Sequence, residues 1–460
     1  MGALRSSGWR SRTVKEEVRA NAARRVAEGR PVVEGVRGYE DTVLPQLENA
    51  LLAGHDIIFL GERGQAKTRM IRSLTGLLDE WLPIVAGSEI LDDPYAPVSR
   101  YARDLVAAEG DDTPVEWVHR DTRFGEKLAT PDTAIADLIG EVDPIKVAEG
   151  RYLSDELTIH YGLVPRTNRG IFAINELPDL AERIQVGLLN VLEERDVQIR
   201  GYKVRLPLDL LLVASANPED YTNRGRIITP LKDRFGSQIR THYPLDLATE
   251  VEVVRQEAVP FTADGLHVDV PGFMLDVVAT VSQLARVSPH VNQRSGVSVR
   301  LSVANYEVLS AAAARRALRA GERVAVPRVS DLGALLASTS GKIEVEVLDD
   351  RGDVEVVDRL LKAAVLTVFK ERVPGPKVAD IVLSFDEGTV LHAGDDVPSV
   401  DYVAAVAGLP ALAEVVATLT EGAESPALVA SAVEFVLEGL HLSKRLNKDS
   451  DGPRATYTSR

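Results

Sequence analysis

Residues 56–68 read DIIFLGERGQAKT, an apolar strand that runs directly into a glycine-containing turn. The turn is similar to the phosphate-binding pattern G-x-x-x-x-G-K-[ST], in which backbone N–H groups curl round a phosphate. In that pattern the lysine reaches the β- and γ-phosphates and the hydroxyl binds Mg²⁺. Gly61, Lys67 and Thr68 match it, so the sequence predicts a phosphate-binding loop. A strand-turn-helix with a chance Lys-Thr pair is the alternative interpretation.

The loop departs from the pattern at one position, because Ala66 stands where the pattern has its second glycine. Alanine fits there only if it keeps ordinary backbone angles, since a positive φ is costly for a residue with a Cβ. Residues 69–78 follow with helical spacing of their apolar side chains. The loop therefore leads into a helix, whose N-terminus favours an anion.

The composition is that of a soluble globular protein with two or three domains: 460 residues, 45% of them apolar and 27% charged. The absence of cysteine excludes disulfides, Cys-ligated zinc or iron-sulfur sites and a thiol nucleophile. We find no signal-peptide core and no apolar run near the roughly 20 residues that span a bilayer, so we predict a cytoplasmic protein without a membrane segment. A net charge of −16 argues against broad nucleic-acid binding.

A second apolar strand, residues 169–174, ends in Asn175 and Glu176. This is the position of a Walker B motif, in which the first polar residue, usually Asp, holds the water shell of Mg²⁺. The second residue, Glu, polarises the water that attacks the γ-phosphate. The amide oxygen of Asn175 can accept a hydrogen bond from a metal-bound water but brings no negative charge. A core strand capped by polar residues is the alternative.

Four further stretches complete the motif order. Residues 210–216 form a third apolar strand that ends at Asn217, which is placed to touch the attacking water or the γ-phosphate. An Asn-Pro turn is the alternative there. Residues 180–194 have helical spacing, and residues 197–206 alternate around a central glycine, which predicts a β-hairpin. Residues 231–236 read LKDRFG at a helix end.

The order of these motifs resembles the AAA+ ATPases, and among them the clade of the magnesium-chelatase I subunit and the MoxR-type ATPases. The resemblance covers residues 35–340 and rests on stretches outside the loop that are weak singly and specific together. These stretches are 35–40 with 49–54, 162–170, 192–201, 214–218 and 231–235. The resemblance implies an α/β fold, an AAA+ P-loop core with a parallel sheet between helices, followed by a small helical lid and a mostly helical C-terminal region.

The resemblance also implies roles for individual residues. The ATP-binding residues would be Gly61, Gly64, Ala66, Lys67 and Thr68, and the residues near Mg²⁺ would be Thr68 and Asn175. The catalytic residues would be Glu176, Asn217, Arg234 and Arg300. In these roles Glu176 orients the water and Asn217 is sensor 1. Arg234 would reach the γ-phosphate of the neighbouring subunit, and Arg300 would be the sensor 2 arginine of the lid.

The predicted domains are a basic N-terminal arm (1–34), the AAA+ α/β domain (35–244), a helical lid (245–341) and an acidic C-terminal region (342–460). We expect the arm to be solvated, with contact to a partner as the alternative. Residues 115–118 are predicted as a core strand and residues 130–161 as an excursion that could be a working surface. Residues 378–443 contain no Lys or Arg and should form helices with an acidic face, either for solubility or for docking a basic partner. The tail from Lys444 is predicted to be loose.

Two functions of different classes remain open. The first is an ATP-hydrolysing motor that forms a ring, by resemblance a hexamer, and drives metal insertion by a separate chelatase subunit or MoxR-like remodelling of a metalloprotein. The second is a nucleotide-gated scaffold with slow hydrolysis, which organises a partner that carries an integrin-type metal-binding domain. A transcription activator of the same superfamily is disfavoured, because the sequence contains no Gly-Ala-Phe-Thr-Gly-Ala loop.

Overall fold

The computed structural model describes residues 1–143, 145, 156–194, 206–217, 226–293, 295–345, 350–386, 388–452 and 454–460. These residues divide into two units, Met1–His242 and Tyr243–Arg460. The boundaries of the arm, the lid and the acidic region stay predictions.

The main sheet of the first unit has five described strands, all paired in parallel. From one edge to the other they are β4 (Phe124–Leu128), β7 (Gly170–Asn175), β8 (Leu210–Ala216), β1 (Ile57–Leu60) and β9 (Ser237–Arg240). Parallel sheets are covered on both faces, which explains why β1, β7 and β8 are continuous apolar runs. The carboxyl ends of β7, β8 and β1 therefore lie side by side at one edge.

Smaller elements surround this sheet. Antiparallel pairs are formed by β2 (Trp81–Val85) with β3 (Val115–His119) and by β5 (Gly140–Val142) with β6 (Ile159–Tyr161). The described helices are α1 (Gly2–Ser6), α2 (Val14–Ala27), α3 (Val43–Ala53), α4 (Lys67–Ser73), α5 (Arg100–Glu109), α6 (Ile135–Leu138), α7 (Leu163–Arg166), α8 (Glu182–Glu194) and α9 (Thr229–Arg234). Short 3₁₀ turns join several of them.

The two faces of the sheet pack into separate clusters. On β7, Ile171 and Ala173 pack with Met70 and other residues of α2, α3 and α4. Phe172, on the opposite face of β7, packs with side chains that include those of α6, α8 and α9. Because side chains alternate along a strand, Asn175 shares the face of Ile171 and Ala173, which is the face covered by α4.

The predicted core strand at 115–118 is a strand, but its place in the core was wrong. It belongs to β3, which pairs only with β2 among the described strands, and Trp117 is half exposed. The edge strand of the main sheet is instead β4, which the sequence analysis missed. The hairpin predicted at 197–206 lies almost entirely outside the described residues, as does the middle of the excursion at 130–161.

The expectation of a solvated N-terminal arm was also wrong. Val14, Val18 and Ala22 are spaced one turn apart on α2 and are buried in the cluster beneath β1 and β7. The carboxylate of Glu17 is buried as well and binds the guanidinium of Arg123 through two hydrogen bonds of 2.8 and 2.6 Å. This helix is part of the first unit's core.

The second unit is mostly helical. Its described helices are α10 (Leu247–Glu257), α11 (Gly272–Val287), α12 (Arg300–Ala320), α13 (Leu335–Ser340), α14 (Asp350–Arg372), α15 (Gly375–Asp386), α16 (Ser399–Ala407), α17 (Pro410–Leu419) and α18 (Pro426–Leu442). The strands β10 (His267–Val268) and β11 (Val324–Ala325) pair in parallel. An antiparallel sheet contains β12 (Leu391–Gly394), β14 (Arg454–Ser459) and β13 (Leu446–Asp451), in that order.

Two expectations for the C-terminal region need correction. The tail is not loose, because β13 and β14 pair along their length. The acidic residues are not all on a solvated face, since Glu434 and Glu438 are buried on α18 and accept hydrogen bonds from Tyr402 (2.6 Å) and Tyr457 (2.7 Å). Burial beside these carboxylates raises the pKa of both tyrosines, which therefore stay neutral donors.

Candidate nucleotide-binding site

The phosphate-binding loop joins β1 to α4, as the sequence predicts. At Gly61 an added Cβ would lie 1.8 Å from Thr241 Oγ1 and 2.3 Å from Gln65 Oε1. Both distances are far below van der Waals contact, so a side chain at position 61 would have to displace the side chains of Thr241 and Gln65. Gly64 has a φ of 75°, a second position that glycine adopts without cost.

The side chain of Gln65 stabilises the loop through hydrogen bonds, a role that the motif alone does not predict. Its Oε1 accepts hydrogen bonds from the backbone N–H of Glu62 (3.0 Å) and from the hydroxyl of Thr241 (2.7 Å). The hydroxyl of Tyr39 lies 3.0 Å from Gln65 O and 2.7 Å from His242 O. Burial raises the pKa of Tyr39 to about 12, so the phenol remains a hydrogen-bond donor at neutral pH. The loop is thus held from the side of β9.

Ala66 does not keep ordinary backbone angles. Its φ is 55° and its ψ is 14°, in the left-handed region, at the residue that precedes α4. A Cβ in this region costs roughly 1–2 kcal/mol relative to right-handed angles. The condition that the sequence analysis set for alanine is therefore not met, and the loop carries backbone strain at this position.

We expect Ala66→Gly to raise the free energy of unfolding by about 1 kcal/mol, because glycine removes the strain but adds some chain entropy in the unfolded state. For a unit of this size that corresponds to about 2–4 °C in Tm. Thermal unfolding followed by circular dichroism measures it. The control is Ala23→Gly, at an exposed helical position of α2, which should lower stability by about 1 kcal/mol. A decrease in both variants would contradict strain at Ala66.

Lys67 and Thr68 form the first turn of α4. The Lys67 side chain is buried, and its Nζ donates hydrogen bonds to the carbonyl oxygens of Gly61 and Glu62, the latter at 2.9 Å. These contacts hold the ammonium group at the start of the loop, where the pattern requires it. Thr68 is half buried in the same turn.

Asn175 and Glu176 lie at the carboxyl end of β7, next to β8. The hydroxyl of Ser215 on β8 links them: it donates to Asn175 Oδ1 at 3.2 Å and accepts from the backbone N–H of Glu176 at 3.2 Å. Glu176 has a φ of 54°, again in the left-handed region. The chain therefore turns sharply at the predicted water-orienting residue, which is half buried.

Asn217 follows β8 directly and is 2% exposed. Its Oδ1 atom is buried and has no hydrogen-bond partner among the described residues. Residue 217 adjoins the loop, because the backbone N–H of Gly61 donates to the carbonyl of Ala216 at 3.1 Å. Buried polar atoms are rarely unpaired in folded proteins, so a ligand or water is expected to contact this amide.

The oxygen atoms of Thr68 and Asn175 are suitable ligands for Mg²⁺ that is bound together with a nucleotide. Within the described ranges there is no group of three His, Asp or Glu that could hold a metal ion alone. Mg²⁺ in nucleotide sites needs no such cage, because phosphates and waters provide most of its ligands. The hydroxyl of Thr68 and the amide oxygen of Asn175 are the oxygen donors that the sequence assigns to it.

Two predicted residues belong to other elements of the chain. Arg234 is exposed at the end of α9, after the buried Leu231 and before the buried Phe235. Arg300 is exposed at the start of α12, in the second unit. Their roles at a nucleotide stay predictions.

The strand order and the site define the class of the first unit. Counted along the chain, the main-sheet strands lie in the order 2-3-4-1-5, with the phosphate-loop strand beside the strand that ends at Asn217. This is the strand order of an AAA+ α/β core, and the predicted fold class is confirmed. No helix in the described part of the chain has the length and apolar character to cross a bilayer.

The chain is similar to curated magnesium-chelatase subunits. It is 26% identical over 327 residues to the magnesium-chelatase 38 kDa subunit of Cereibacter sphaeroides, a match that covers 66% of this chain and 89% of that protein. The 38 kDa subunits of Rhodobacter capsulatus and Acidiphilium rubrum are 29% and 30% identical, and each match covers 50% of this chain and 62% of the relative. The predicted resemblance to the magnesium-chelatase I subunit is confirmed. No protein-family model matches the chain.

Solved structures give weaker matches. A reconstruction of the complex between subunits BchI and BchD of magnesium chelatase matches 71% of this chain and all of the compared chain, with 24% identity and a TM-score of 0.36. NtrX from Brucella abortus in complex with ATP matches 76% of this chain and 66% of its own, with 15% identity and a TM-score of 0.40.

Proposed function

We propose that this chain is an ATP-hydrolysing AAA+ motor subunit that acts on a partner protein. The observation that carries the proposal is the convergence of the loop lysine, Asn175 with Glu176, and Asn217 at the carboxyl ends of three adjacent strands. Ligands of open α/β sheets bind at that edge. The buried Oδ1 of Asn217, which has no hydrogen-bond partner among the described residues, lies at the end of one of these strands and supports the proposal.

The chain's own groups have separate tasks in this proposal. Lys67 and the backbone N–H groups of the loop bind the β- and γ-phosphates, and Thr68 and Asn175 hold Mg²⁺ and its waters. Bound Mg²⁺ would neutralise charge on the phosphates. Glu176 accepts a proton from the attacking water, and Asn217 orients that water or the γ-phosphate.

Arg234 is proposed to complete the site of a neighbouring copy. An arginine that contacts the γ-phosphate stabilises charge on the phosphoryl oxygens, and in GTPases this contribution is about 10³ to 10⁵ in rate. Such a residue must be exposed on its own subunit, as Arg234 is. We therefore propose a homo-oligomeric ring, hexameric by family resemblance, in which an isolated subunit is a poor ATPase.

The test mixes two inactive variants, Glu176→Gln and Arg234→Ala. If each site takes Glu176 from one subunit and Arg234 from the next, a 1:1 mixture creates intact sites at about a quarter of the interfaces. Mixing should then recover up to that share of the ATPase rate, measured by phosphate release. Lys232→Ala, on the same helix, should keep the rate of the wild type.

The double variant Glu176→Gln/Arg234→Ala provides the decisive comparison. Mixed with either single variant it creates no interface with both groups, so no recovery is expected. If sedimentation shows mixed rings and the two single variants still fail to recover activity at any ratio, Arg234 does not act across the interface.

The partner is proposed from the relatives. Because the matched relatives are magnesium-chelatase subunits, we propose as partners a protein with an integrin-type metal-binding domain and a chelatase catalytic subunit. The alternative partner of the same motor is a metalloprotein, which the motor would remodel as MoxR-type ATPases do. A pull-down from native cells with and without ATP identifies the partner, and a partner captured only with ATP supports coupling.

One observation favours a second candidate, a nucleotide-gated scaffold. Asn175 lacks the charge of the usual aspartate, and slow turnover would let ATP binding alone organise a partner. Steady-state ATPase measurements on the assembled ring with the captured partner decide between the two. Tight Mg-ATP binding with no turnover would support the scaffold.

A further inference from the structure

The amide of Asn175 is held in one orientation by the neighbouring strands. Its Nδ2 donates a hydrogen bond of 2.5 Å to Glu126 Oε1 on β4, while its Oδ1 accepts the 3.2 Å hydrogen bond from Ser215 on β8. An ionised carboxylate only accepts hydrogen bonds, so a flipped amide would place two oxygens against each other. The amide oxygen therefore faces β8, the strand that separates β7 from the phosphate-loop strand.

Glu126 is also tied to the helix that carries Thr68. Its Oε2 accepts a hydrogen bond of 2.8 Å from Arg72 Nε, and Arg72 lies one helical turn after Thr68 on α4. The hydrogen bond to Glu126 and the charge of its carboxylate raise the pKa of Arg72, whose guanidinium is a cation at neutral pH in any case. A carboxylate thus contacts Asn175 from the neighbouring strand, one strand away from the position where the motif has it.

We propose that Glu126 is a positioning residue for Mg-nucleotide binding, which supplies the negative charge missing at position 175 and turns the oxygen of Asn175 toward the metal. The inference rests on the proposed ATP-binding function and deepens it. The amide and the carboxylate together replace the usual aspartate: Asn175 provides the oxygen and Glu126 provides the charge. Arg72 would balance part of that charge in the absence of Mg²⁺.

The experiment measures how much Mg²⁺ tightens ATP binding, as the ratio of the Kd in EDTA to the Kd in Mg²⁺, by calorimetry. Glu126→Gln removes the charge and should lower this ratio about tenfold, the effect of roughly one pKa unit of interaction. Glu126→Gln/Asn175→Asp returns the carboxylate to position 175 and lets the new amide at position 126 donate the hydrogen bond. This double variant should recover the ratio to within about twofold of the wild type.

Arg72→Gln is the matched control, because it breaks the ion pair and leaves the carboxylate in place. The ratio of the Kd in EDTA to the Kd in Mg²⁺ should equal or exceed that of the wild type. If the ion pair had only a structural role, breaking it would lower this ratio. An unchanged ratio in Glu126→Gln, or no recovery in the double variant, overturns the proposal. If the wild type itself does not bind ATP, the proposed function fails instead, and this inference fails with it.

A second measurement covers the case that Glu126→Gln does not fold. Asn175→Asp in the presence of Glu126 places two carboxylates against each other where an amide now donates a hydrogen bond, and like charges at this distance repel. The metal-free variant should melt several degrees below the wild type, and Mg-ATP should raise its Tm more than it raises that of the wild type. Melting at the temperature of the wild type in both conditions would show that Glu126 does not face position 175.

Discussion

Lys67→Ala is expected to weaken Mg-ATP binding at least about 100-fold. The Lys67 ammonium is buried at the start of the loop and would form charge-assisted hydrogen bonds to the phosphates, each of which is worth about 1.5–3 kcal/mol. No other lysine lies in the loop. Calorimetry with Mg-ATP measures the change in Kd directly.

The control for this prediction is Lys362→Ala, which removes an exposed lysine paired with Asp358 on α14. It changes the net charge by the same amount and should leave the affinity for Mg-ATP as it is. Lys67→Ala should also keep its fold, because alanine is the residue that helices favour most and position 67 begins α4. Unchanged ATP affinity in a folded Lys67→Ala protein would show that this loop is not the nucleotide site.

Glu17→Ala is expected to have the largest effect on stability. Arg123 is fully buried and its guanidinium loses both hydrogen bonds to the Glu17 carboxylate. Removing one partner of a buried ion pair leaves an uncompensated charge and costs about 3–5 kcal/mol. At about 2–4 °C per kcal/mol, the first unit should melt some 6–20 °C lower.

Tryptophan fluorescence is a suitable signal, because Trp9, Trp81 and Trp117 all lie in the first unit. The control is Glu28→Ala, which removes the exposed partner of Arg30 and should change stability by no more than about 1 kcal/mol. Similar melting temperatures for the Glu17 and Glu28 variants would contradict a structural ion pair beneath α2.

The centre of the fold could be predicted because its strands are almost entirely apolar. β1, β7 and β8 are buried on both faces and end in glycine or polar residues, so their sequence marks both the strand and the site. The edge strand β4 has the sequence FGEKL, and its charged residues interrupt the apolar run by which a core strand is recognised. Glu126 was missed for the same reason, since no motif leads to a carboxylate on an edge strand.

Other differences follow from weak amphipathic patterns. α2 contains six charged residues in fourteen, and its narrow apolar stripe at Val14, Val18 and Ala22 is easily taken for chance in a basic segment. The strands of the tail read LNKDSD and RATYTS, polar sequences that resemble loops. At Ala66 the motif predicts the loop but cannot show that alanine occupies a left-handed position.

The packing of α2 implies that a stable fragment of the first unit must include Val14–Ala27. A fragment that starts at residue 35 would contain every nucleotide motif, yet it would lack the carboxylate that neutralises Arg123 and the side chains that cover Leu47 and Leu51. Such a fragment would expose the apolar surface that α2 covers, and we expect it to be prone to aggregation. During synthesis Glu17 leaves the ribosome before Arg123, which follows 106 residues later in the chain. The Glu17 carboxylate can therefore form its ion pair only after Arg123 has been made.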